Sequence, residues 1–241
     1  MRKISIAAAT FVALAAFCAP ASAATLLLLH NGQDLSQTIH NNGGVDNNDF
    51  TLTFASKEAG LLVDYSSTVK LSYPGMSSGF AVVSSMLPGG IPILTITPSA
   101  DAPVPFSFSE FKFNLDLPSG PGNGYKTDFT FDAQVFFTGG GSQTFGNVDA
   151  GDGNGNNRLD IKAGAGELIN KIILSDLEGF STKHNKPNIG PTAYNFDAIK
   201  QASFNAISSV PEPATWAEFI LGFGAIGVAL RRRRSQAALP A

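Results

Sequence analysis

Period-two alternation of apolar and polar residues dominates the chain between residues 24 and 210. Phe50, Leu52 and Phe54 alternate with Thr51 and Thr53, and Val69, Leu71 and Tyr73 with Lys70 and Ser72. The longest register runs Tyr125, Thr127, Phe129, Phe131, Ala133, Val135 and Phe137, with mostly polar residues between. Successive side chains of a strand point to opposite faces, so each run predicts an antiparallel strand with one side in the core and one in water. Phe106, Phe108, Phe111, Phe113 and Leu115 alternate too, but their phase slips at Ser109-Glu110. One extra residue there predicts a β-bulge. Further strands are predicted at 25–30, 61–65, 80–86, 91–97, 142–148, 168–175 and 194–207. The last of these must bend, because Phe196, Ile199, Phe204 and Ile207 share no single phase.

Turn chemistry separates the runs: Asn41-Asn42-Gly43-Gly44, Pro74-Gly75, Pro88-Gly89-Gly90, Gly139-Gly140-Gly141 and the Gly/Pro-rich stretch 118–124. No long 3.6-residue stripe interrupts them, although 167–174 is ambiguous. Many short strands with such turns predict an all-β fold, an antiparallel, jelly-roll-like β-sandwich over 24–210.

The two ends break this pattern. Arg2 and Lys3 precede an apolar run from Ile4 to Phe17, and Ala21-Ser22-Ala23 offers small residues at a cleavage site before Ala24. That order predicts a signal peptide over 1–23, with an N-terminal signal helix. At the other end, Pro211-Glu212-Pro213 breaks the chain, Trp216 to Leu230 is apolar apart from Glu218, and Arg231, Arg232, Arg233 and Arg234 follow. A transmembrane helix is predicted over 214–230, with a basic stop at 231–234 and a short cytoplasmic tail at 235–241. Arginines stay on the cytoplasmic side, which places the body on the other.

Pro211, Glu212, Pro213, Trp216 and Ala217, followed by the Gly222-Phe223-Gly224 stretch and the four arginines, resemble a PEP-CTERM sorting signal of the PEPxxWA type. Glu218 departs from the pattern, standing where an apolar residue is usual. The resemblance implies an exported protein of a Gram-negative bacterium. Its partner would be a membrane-embedded exosortase that recognises the tail 211–234 and removes it. It also implies association with exopolysaccharide and biofilm matrix, and a path from transient membrane anchoring to the cell surface.

Composition narrows the body's chemistry. Residues 24–210 carry ten Lys plus Arg against seventeen Asp plus Glu, a net charge of −7. An acidic exterior excludes a basic nucleic-acid binder. The single cysteine, Cys18, lies in the predicted signal, so the body has neither disulfides nor thiolate metal sites. The densest oxygen-ligand cluster is 149–160. Counted from Asp152, it offers Asp152, Asn154 and Asn156 at positions 1, 3 and 5 and Asp160 at position 9. Asn157 and Ala163 stand where a calcium loop of the EF-hand kind has Gly and a bidentate acid. Two readings stay open, a calcium site and a plain polar turn.

Other motifs point nowhere in particular. Gly75, Ser77 and Gly79 fit G-x-S-x-G, which needs a strand-to-helix elbow; here strands are predicted on both sides. His30, His40 and His184 show no metal spacing, and paired acids for glycoside cleavage meet only in space. No cofactor and no catalytic residue is assigned. The expected role is a non-enzymatic structural or adhesive component of the surface or exopolysaccharide matrix; the alternative is a calcium-assisted carbohydrate-binding module.

Overall fold

The computed structural model describes residues 24–29, 35–40, 49–77, 79–122, 125–151, 157–183, 186–208, 220, 221 and 223. The strands are β1 (Thr25–Leu29), β2 (Gln37–His40), β3 (Asp49–Ser56), β4 (Leu62–Ser72), β5 (Met76–Ser77), β6 (Phe80–Ala81), β7 (Val83–Ser85) and β8 (Leu94–Pro98). They continue with β9 (Phe106–Asp116), β10 (Lys126–Phe137), β11 (Ser142–Gly151), β12 (Asn157–Lys162), β13 (Ile169–Thr182), β14 (Ile189–Ala193) and β15 (Ala198–Ser208).

The all-β, antiparallel expectation holds. The two-sheet sandwich is replaced by one continuous ladder in the order β1-β12-β9-β15-β2-β3-β4-β8-β13-β10-β11. It closes on itself where Ile169 of β13 meets Phe108 of β9. Seven strands therefore form a ring: β9, β15, β2, β3, β4, β8 and β13. The pair β12–β1 extends outward from β9, and β10–β11 from β13. Closing a sheet requires strong local twist, which bulges supply. Asn147, Asp176 and Gln201 adopt left-handed backbone, and each falls at a slip of register.

Inside, aromatic rings fill the space that the alternation predicts. Phe108, Phe111 and Phe204 form one cluster, with centroids 5.0 Å apart for Phe108–Phe111 and 5.3 Å for Phe108–Phe204. Phe129, Phe131, Ala133 and Val135 point inward from β10 as expected. The bulge predicted in β9 is present, since Asn205 pairs with Glu110 and Ala206 with Phe108, leaving Ser109 over. Phe50 departs from its predicted face and is 49% exposed, because a slip between Asp49 and Thr51 turns it outward.

Strand direction sorts the connections between two ends. Ser208 pairs with Phe106, Lys162 with Glu110 and Thr25 with Lys162, so Ala24, Ser208 and the turns 57–61, 99–105, 138–141 and 163–168 share one end. Asp116, Lys126, Gly151, Asn157 and Thr182 lie at the other. The predicted signal helix lies outside the described residues. So does most of the predicted transmembrane helix; of it, Ile220, Leu221 and Phe223 are helical and exposed. Among the described residues no helix is long and apolar enough to cross a membrane.

Candidate functional site

The most unusual chemistry of the body lies on three neighbouring strands, β12, β9 and β15. Leu159 and Ile161 of β12 and Phe111, Phe113 and Leu115 of β9 face the core, so Asp160, Lys162, Glu110, Lys112 and Asn114 project from the opposite face. That face is only partly open to water: Asp160 and Asn114 are buried, whereas Lys162 is exposed. Buried charges must be paired. Lys112 Nζ stands 3.4 Å from Glu110 Oε1 and 3.7 Å from Asp160 Oδ2. Asn205 Nδ2 donates to Glu110 Oε2 at 3.1 Å. Further along, Asn114 Nδ2 and Arg158 Nη2 both donate to Gln201 Oε1 at 3.2 Å, and Lys200 Nζ pairs with Asp116 at 3.0 Å.

Asp160 Oδ1 receives no donor in this network among the described residues. Its hydrogen-bonding neighbour is the Glu110 carboxyl group, which in ionised form can only accept. Burial first, then the Glu110 charge, push the Asp160 carboxyl up to about 6, against the pull of Lys112 and Lys162. Lys112, within 4 Å of both acids, ties Glu110 of β9 to Asp160 of β12. An open groove of about 530 Å³ adjoins Glu110, lined also by Lys162, Gly166, Glu167, Asn205 and Ile207.

Asp160, the ninth position of the calcium reading, is thus inside β12, facing Lys112 and Glu110. Asp152, Asn154 and Asn156 lie outside the described residues. Among the described residues no three His, Cys, Asp or Glu side chains gather as a metal site. Ser77 ends β5 and pairs with Phe80 of β6, a hairpin and not an elbow into a helix. His40 packs on the Phe80 ring at 5.5 Å, and burial with the nearby Lys57 charge lowers its pKa. The tyrosines do not form a bare platform: Tyr65 is buried, Tyr194 meets Phe129 edge-on, and Lys183 Nζ sits 5.3 Å from the Tyr125 ring centre. At the predicted signal junction, Ala24 is buried and its N–H donates to Gln143 Oε1 at 2.6 Å; Ala21 and Ala23 lie outside the described residues. The Glu110–Lys112–Asp160 cluster was signalled by the alternation Arg158-Leu159-Asp160-Ile161-Lys162, which the calcium reading of the same stretch obscured.

The body ends at Ser208, the last residue of β15, and the Pro211, Glu212, Pro213, Trp216, Ala217 and Arg231–Arg234 motif begins just beyond, outside the described residues. Residues 209–234 match the family model of the PEP-CTERM protein-sorting motif. The chain carries a PEP-CTERM sorting signal. No curated protein and no solved structure matches the chain. The PEP-CTERM motif marks an exported protein, transiently membrane-anchored and bound for the cell surface, with exosortase as its processing partner.

Proposed function

We propose that the PEP-CTERM protein is a non-enzymatic structural or adhesive component of the cell surface or exopolysaccharide matrix, delivered there by its tail. One observation carries the reading: a sorting signal starts directly after the final strand of a closed, aromatic-filled β-body. A ring of paired strands leaves none of its seven members as an edge, and so supports a body that stays folded outside the cell without disulfides. The polar ladder supports it as well, because its acids and lysines satisfy one another across strands. In this reading the sandwich-like ends of the ladder, β1 and β11, lie beside each other, and Ala24 and Gln143 link them.

Mass spectrometry of material from the native envelope and culture supernatant tests the proposal. The expected product begins at Ala24, lacks the arginine-bearing tail and co-purifies with the polymer fraction. Full-length protein retained in the cytosol would defeat the reading, and processed protein free of polymer would defeat the matrix role alone.

A further inference from the structure

The body has two unlike ends, and its attachment point is at only one of them. Ser208 finishes β15 opposite Phe106, the first residue of β9. Ala24 precedes β1, whose Thr25 pairs with Lys162, and Lys162 pairs in turn with Glu110. Both places where the chain enters and leaves the body are therefore at the same end. From Ser208 to Ala214, where the predicted transmembrane helix begins, is six residues, a reach of about 20 Å at full extension. The strands of β9 length span about 35 Å, somewhat less along a tilted barrel axis.

The surface of that end is low and weakly charged. Its turns are Gly139-Gly140-Gly141, Ala163-Gly164-Ala165-Gly166 and Ala102-Pro103-Val104-Pro105, with Val104 and Ile207 among the exposed apolar side chains. Lys57, Glu58, Asp101 and Glu167 are the charges its turns carry. The strand ends at the other side, His40, Asp49, Gly151 and Asn157, bracket the Asn/Asp/Gly-rich stretches of the sequence.

We propose that the end formed by Ala24, Ser208 and the turns 57–61, 99–105, 138–141 and 163–168 is the face that lies against the lipid bilayer while the tail is anchored. The opposite end then faces outward. This rests on the anchored, exported reading above. The short link allows little tumbling, so a body some 30 Å long cannot turn its outward end to the membrane. The small residues of the turns 138–141 and 163–166 permit close approach, with Lys57 and Glu58 the exposed long charged side chains at its edge. The strand ends His40, Asp49, Gly151 and Asn157 are thereby directed away from the bilayer.

The full chain carries one cysteine, Cys18, so Cys18→Ser gives a clean background for labelling. A donor fluorophore is placed at Asp101→Cys, on the inward end, or at Lys126→Cys, on the outward end, both exposed positions. Each full chain is reconstituted into phosphatidylethanolamine/phosphatidylglycerol vesicles containing a headgroup-labelled acceptor lipid. The donor at 101 is expected to lose most of its emission to the acceptor and the donor at 126 to keep most of its own. Equal transfer from both sites, in chains that float with the vesicles, overturns the orientation. Chains that do not float overturn the anchoring beneath it as well. Shielding of 101 that appears only when exosortase is added would make the enzyme, and not the bilayer, the facing partner, and would also overturn the proposal.

Discussion

Replacing Asp160 by Asn should stabilise the protein at pH 8 and change little at pH 5. The Asp160 carboxyl is raised from 3.8 to about 6 by burial and by Glu110. An acid whose folded pKa lies above its unfolded value contributes most below the unfolded pKa, and that contribution is lost as pH rises through the folded value. Folding stability should thus decline between about pH 4 and pH 6 through this group, then level off. A shift of roughly two units caps the effect at about 3 kcal/mol at 1.36 kcal/mol per unit, and screening by water and by Lys112 brings it below that. The amide of Asn can donate to Glu110 without a proton to lose. For a body of this size each kcal/mol moves Tm by about 2–4 °C. Urea melts of both proteins from pH 4 to 8 should therefore diverge with rising pH, the variant being the more stable. A variant less stable than wild type by the same margin at pH 5 and pH 8 would refute the raised Asp160 pKa, and would show Asp160 acting as a plain ionised partner of Lys112.

Phe108→Ala should cost about 3–5 kcal/mol, read as a lower urea midpoint, since it empties the contact with Phe111 and Phe204 at the point where the ring closes. Gly90→Ala should lower Tm more than Gly60→Ala. Gly90 has φ +76° and an added Cβ would stand 2.6 Å from the Phe196 carbonyl oxygen, whereas Gly60 at φ +63° has open space; equal effects would show that backbone conformation, not crowding, decides. Calcium titrated into the full chain is expected to give no binding heat and no thermal shift, because Asp160 is already engaged by Lys112 and Glu110. Binding lost in Asp152→Ala would reverse that expectation.

Much of the body was legible because large apolar residues mark one face of most strands. The β10 register needed only its alternation, and the β9 bulge only the slip at Ser109-Glu110. The missed strands lack that mark. The second half of β13 turns Leu177, Gly179 and Ser181 inward, too small a set to announce a strand, and Gly179 is small because Tyr194 and Phe129 press on it. In β12 the pattern was present but competed with a plausible ligand spacing through Asp160. Ring closure was not legible, because the Phe108–Ile169 pairing depends on twist accumulated over the whole sheet. The meeting of Glu110 and Asp160 was equally hidden: fifty residues separate them in sequence and adjacent strands bring them together. The sorting signal needed no fold at all, since its motif, apolar stretch and arginines are contiguous.

The strand that leads into the tail also carries Phe204, at the centre of the aromatic cluster, and pairs with β9 along most of its length. Backbone hydrogen bonds lie across the strands, so tension applied along β15 strains many of them together and does not open them one after another. While the tail is still anchored, any pull on the body would load the protein in this sense, and the joint would hold as a lap seam does.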